Sequence, residues 1–137
     1  IRFDLSPYQG CAVGGASLRV EVTDDVGSGD VKVYEVLQPW SPDATFDLAQ
    51  ATEPWSTPGC FADGSPCRAQ TPLFLRRDIP TGSLLIELPT STVQRWLDTP
   101  DLNYGVLFLM GTEGHNLAFA SSEAPDGQRP RLTLTLR

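Results

Sequence analysis

Residues 131–137 read Arg-Leu-Thr-Leu-Thr-Leu-Arg, an unbroken two-residue alternation. Successive side chains of a β-strand point to opposite faces. Leu132, Leu134 and Leu136 therefore share one face, and Thr133 and Thr135 the other. One apolar and one polar face is the pattern of an antiparallel strand that covers a core on one side and meets water on the other. The same rhythm recurs upstream. Leu18, Val20 and Val22 alternate with Arg19 and Glu21, and Leu84, Ile86 and Leu88 fall on one face of another run. At the start of the chain Phe3 and Leu5 oppose Arg2 and Asp4. VKVYEVL (31–37) and NLAFAS (116–121) are less regular but rich in strand formers. YGVLFLM (104–110) is apolar on both faces, which predicts a central strand covered on both sides.

Turn signals separate these runs: Gly14-Gly15, Gly27-Ser28-Gly29-Asp30, Pro58-Gly59, Asp63-Gly64, Pro80-Thr81-Gly82 and Asp126-Gly127. Strands at this spacing predict an all-β, antiparallel β-sandwich of the jelly-roll kind with roughly eight or nine strands. One helix is expected over STVQRWLDTP (91–100). Ser91 and Gln94 have capping-box spacing, Val93, Trp96 and Leu97 share a helical face, and Pro100 stops the run.

The chain has 137 residues, enough for one domain with its own core. The net charge of −7 argues against nucleic acid and against anionic membrane surfaces, both of which need a basic face. Of ten basic residues, Lys32 alone is lysine. No apolar run reaches the length of a membrane span, so no membrane insertion is expected. The first residue is Ile1 and no targeting stretch follows it, which suggests a processed or excised piece of a longer product.

Cys60 and Cys67 lie in a Gly/Pro/Asp-rich loop, TPGCFADGSPCRAQ (57–70). A Cys60–Cys67 bridge is the preferred pairing and Cys11–Cys60 the competing one; either fits an oxidising compartment. A metal reading of the cysteines is poor, because there is no CxxC pair and the one histidine, His115, is distant.

Chemistry-bearing motifs are few. His115 sits in a polar turn, GTEGHNL, and reads as an exposed loop histidine; no GxSxG elbow accompanies it. Glu21, Glu35, Glu87, Glu113 and Glu123 are carboxylates without distinguishing context. There is no GxGxxG or GxxxxGK[ST] loop to cradle phosphate. Asp24, Asp25 and Asp30 in TDDVGSGD offer hard oxygen ligands for calcium, the one cofactor suggested; a solvated hairpin turn is the preferred reading. The aromatic candidates for a sugar platform are Trp40, Trp55, Tyr34 and Tyr104, because the C–H face of a pyranose stacks on a ring. Trp40 and Trp55 lie in Pro-flanked loops, where a lid over the core competes with a ligand platform, and Trp96 belongs to the helix's apolar face.

Several stretches together resemble the DNRLRE domain family: RFDLS, ASLRVEVTD, VKVYEVLQPWS, EPWSTPG, TVQRWLDTPDLNYGVLF, GTEG and FASSEAPDGQRPRLTLT. They run in order through nearly the whole chain, 1–137. The resemblance implies a single jelly-roll module of a secreted or cell-surface protein, noncatalytic, with a polysaccharide or other surface glycan as partner. Family members carry a further strand before RFDLS. Its absence here implies an open sheet edge, and with it the alternative of a structural subunit held in an extracellular assembly or filament by strand addition between subunits, or of contact with a neighbouring domain.

Overall fold

The computed structural model describes residues 1–111 and 113–137; Thr112, in the GTEG stretch, lies outside them. Among the described residues seven strands form two antiparallel sheets: β1 (Val13–Val26), β2 (Asp30–Glu35), β3 (Phe74–Arg77), β4 (Gly82–Glu87), β5 (Val106–Met110), β6 (Asn116–Phe119) and β7 (Arg131–Leu136). The helix, α1, spans Thr90–Asp98. The all-β sandwich is as the alternation predicts, with fewer strands than the eight or nine expected. The difference lies in the long connection after β2, which contributes only the isolated bridges Val36–Arg68 and Leu48–Pro54, and at the N-terminus.

The first sheet is built around β1. Ser17–Val22 pairs with β4 along one side. The other side is shared end to end by β7, opposite Val13–Arg19, and β6, opposite Val22–Val26. The second sheet has the order β3-β2-β5. Leu18, Val20 and Val22 from β1, Val31 and Val33 from β2, and Leu84 and Ile86 from β4 meet in one core and are each at most 4% exposed. Each fully buried Val, Leu or Ile contributes about 1.5–3 kcal/mol by leaving water. Phe108 of β5 meets Phe119 of β6 across the sheets, ring centroids 4.8 Å apart.

Three local expectations are corrected. First, β5 is not a central strand of the sheet: among the described residues β2 is the one strand it pairs with, Ile1 alone meets its other side at Val106, and Leu107 to Met110 are half-exposed. A run apolar at every position carries no period, so its position in the sheet is not written in it. Second, residues 2–5 are not a ladder strand. Phe3 and Leu5 turn inward as expected, but only Ile1 pairs with the sheet, at Val106. Third, α1 has no capping box. Pro89 occupies the N-cap without a side-chain bond. Gln94 instead reaches β1, its Oε1 accepting from Val13 N–H (2.9 Å) and its Nε2 donating to the Cys11 carbonyl (3.0 Å). The helix still buries Val93, Trp96 and Leu97 as the spacing requires.

The Cys60–Cys67 disulfide is present, with Cα atoms 5.8 Å apart, and Cys11 is free. Arg68 organises this loop from within. At 2% exposure its Nε donates to the Cys60 carbonyl (2.8 Å), and its guanidinium lies 4.0 Å from the Tyr34 ring centroid. A planar cation over an aromatic face, with carbonyls at its edge, keeps a buried charge solvated by the protein.

Candidate functional site

A groove of about 410 Å³ opens at the end of the sandwich, between the C-terminal half of α1, the end of β2 and the 3₁₀ turn Pro100–Leu102. Its floor holds Glu35. In β2 the inward positions are Val31, Val33 and Glu35, so the alternation delivers a carboxylate where a third apolar side chain would sit. Burying it requires partners. Glu35 Oε1 accepts from the Trp96 indole N–H (2.9 Å), and Oε2 accepts from Arg95 Nη2 (2.6 Å). The Arg95 side chain is 58% exposed while the Glu35 side chain is 8% exposed, so the pair runs from the core to the groove surface.

The walls mix surface types. Tyr104 lines one side. Leu37 and Leu102 leave 49% and 60% of their surface in water. Thr99 and Asp98 close the α1 side, with Asp98 Oδ1 accepting from Gln94 Nε2 (2.9 Å). A groove with an aromatic ring, aliphatic rims and a few fixed polar groups suits an amphipathic small ligand.

Of the four aromatic candidates, Tyr104 alone lines this groove. Trp40 stands behind it, half-buried, its Nε1 donating to the Tyr104 carbonyl (2.7 Å), with Arg2 5.4 Å from its ring centroid. Trp55 is half-buried in the long loop, its Nε1 tied to the Thr45 carbonyl (2.9 Å). Tyr34 is 5% exposed beneath Arg68 and offers no free ring face. Glu35, Arg95 and Asp98 were not distinguished as a site in the sequence. The readable signal was the charged residue at an inward position of VKVYEVL.

The three aspartates that flank the β1–β2 turn are not gathered. Asp24 Oδ1 accepts from Asp25 N–H, Asp25 Oδ1 faces His115 Nε2 at 3.2 Å, and Asp30 holds the Gly111 N–H through its carbonyl oxygen. Among the described residues no group of three His, Cys, Asp or Glu side chains is arranged to hold a metal ion. His115 is 3% exposed, which corrects its reading as an exposed loop histidine. The polar turn around it folds back on the end of β1, and Asp25, ninety positions away, supplies its partner.

Among the described residues no helix is long and apolar enough to cross a membrane. Comparison with known proteins finds no matching family model, no matching curated sequence and no matching solved structure.

Proposed function

We propose that this chain is a noncatalytic carbohydrate-binding module of the DNRLRE type, acting in a secreted or cell-surface protein, and that a surface glycan occupies the groove beside Tyr104. The observation that carries this reading is the groove itself, lined by Tyr104 and two exposed leucines beside the exposed side chain of Arg95 and Asp98. A pyranose has the complementary surface, with C–H faces that stack on a ring and hydroxyls that bond to fixed polar groups. The net charge of −7 favours a neutral glycan over a polyanionic one. The noncatalytic side of the reading is supported by Glu35, whose two oxygens are both engaged by Trp96 and Arg95. The Cys60–Cys67 bridge fits an oxidising compartment.

The experiment is a glycan array followed by titration calorimetry on the hits. Tyr104→Ala and Arg95→Ala should each abolish or strongly weaken binding while the circular dichroism spectrum is unchanged. Absence of binding to any glycan, or binding indifferent to both substitutions, refutes the proposal.

A further inference from the structure

The outer edge of β4 is a row of backbone groups without partners. Leu88 N–H, just past the strand, donates to the Ala16 carbonyl (2.9 Å), and β4 runs antiparallel to β1 with Ile86 opposite Leu18 and Leu84 opposite Val20. Bonding groups alternate along an antiparallel strand, so Leu84, Ile86 and Leu88 bond to β1. Ser83, Leu85 and Glu87 then direct their N–H and C=O groups away from it. The other side of β1 has the matching parity, since Ala120 N–H donates there to the Glu21 carbonyl (2.9 Å). Among the described residues β1 is the one strand that pairs with β4, and no backbone hydrogen bond reaches Ser83, Leu85 or Glu87 from the outer side. All three residues are exposed.

Sheet edges are normally protected by charge, proline, bulges or short length. The β3 edge carries Arg76 and Arg77 in a strand of 4 residues. β4 has 6 residues, pairs with β1 without a register break, and carries no charge before Glu87 at its end. Leu85, in its middle, leaves 58% of its surface in water.

We infer that two copies of the chain pair edge to edge through β4, antiparallel, about a two-fold axis at Leu85. The inference is independent of the glycan-binding reading, because β4 contributes no residue to the groove. In this register Leu85 lies opposite Leu85 of the other copy, and Ser83 of each copy lies opposite Glu87 of the other. Every outward N–H and C=O of these residues then meets a partner at once, as a self-complementary interface requires. The side chains fit the same register. The two exposed leucines meet at the axis. Glu87, the one charge of the edge, faces a serine hydroxyl that can donate to it rather than a second carboxylate. A register centred on Glu87 would oppose the two carboxylates, and one centred on Ser83 would carry Glu87 past the end of the strand. The first sheets of the two copies become one continuous sheet with the β4 strands at its centre. One strand from each copy makes a small contact, so the dimer is a weak one.

The test is sedimentation equilibrium of the full 137-residue chain from low micromolar to near-millimolar concentration, together with amide hydrogen exchange. The expected result is a monomer–dimer equilibrium. The Ser83, Leu85 and Glu87 amides should gain protection as the dimer forms, while the Leu84 and Ile86 amides are protected by β1 throughout. Leu85→Lys sets two ammonium groups opposite each other and should raise the dimer dissociation constant roughly tenfold or more. Ser83→Lys places an ammonium opposite Glu87 of the other copy and should lower that constant roughly threefold or more. Leu75→Lys, on the β3 edge of the other sheet, should leave it unchanged. A chain that stays monomeric over the whole range overturns the inference. So does a dimer in which the three outward amides gain no protection, or one that neither Leu85→Lys weakens nor Ser83→Lys tightens.

Discussion

The Ile1 ammonium donates to the Val106 carbonyl and the Val106 N–H returns a bond to the Ile1 carbonyl, so the chain's first residue is a member of its second sheet. Burial, followed by the nearby charge of Arg2, lowers the pKa of this ammonium from 8.0 to about 6. Between those values the unfolded chain holds the proton and the folded chain releases it.

Stability of the chain with a free Ile1 amine should therefore rise with pH. The contribution is fully present above pH 8 and is lost as pH falls through 6. A shift of this size corresponds to about 3 kcal/mol over the whole titration. Urea unfolding at pH 6 and pH 8 measures it. Acetylating the Ile1 amine, which keeps an N–H for Val106, should remove the dependence; a dependence that survives acetylation belongs to another group.

Gly105 makes the Ile1 contact possible. Its φ is +76°, and a Cβ there would press on the Ile1 carbonyl and on Arg2 Cα. Gly105→Ala should cost about 2 kcal/mol or more, from the left-handed backbone and the displaced N-terminus together. A loss of stability similar to that of an ordinary surface substitution, within about 0.5 kcal/mol, contradicts the packing described for residues 1–2.

Glu35 joins Trp96 to Arg95 in the groove floor. Glu35→Ala leaves the buried indole N–H of Trp96 without an acceptor and should destabilise by about 1–3 kcal/mol. Glu35→Gln keeps an acceptor and should cost less. Thermal unfolding of the two variants ranks them; equal losses mean the Trp96 bond is not what stabilises the floor.

The disulfide closes a short loop, with a sequence separation of 7. Chain-entropy arguments assign such a loop about 2.5 kcal/mol. Cys60→Ser with Cys67→Ser should lower stability by about that amount, and Tyr34 fluorescence should report loosening of the Arg68 contact above its ring. Unchanged stability in the double variant would falsify the structural role given to the loop.

The strand alternation carried most of the fold. Leu18, Val20, Val22, Leu84 and Ile86 lie in the core because a period of two admits one inward face. It failed where the signal is not periodic. Val-Leu-Phe-Leu-Met is compatible with a central strand or a bare edge, and the choice depends on what lies beside it. It failed again where the partner is distant: His115 reads as a polar-turn histidine until Asp25 is brought to it. Gln94 follows Ser91 at capping-box spacing, yet its amide bonds to the Val13 N–H at the start of β1 and to the Cys11 carbonyl just before it. The groove was legible only in part. Tyr104 stood out as an aromatic candidate, but the pairing of Glu35 with Arg95, sixty positions apart, is a product of the fold.

The most direct test of the glycan-binding account is residue-resolved NMR titration of the chain with a neutral oligosaccharide identified on the array. Binding in the groove should give saturable shifts confined to Leu37, Arg95, Thr99 and Tyr104 and their neighbours. Saturable shifts clustered elsewhere on the sandwich, or none at any accessible concentration, contradict it.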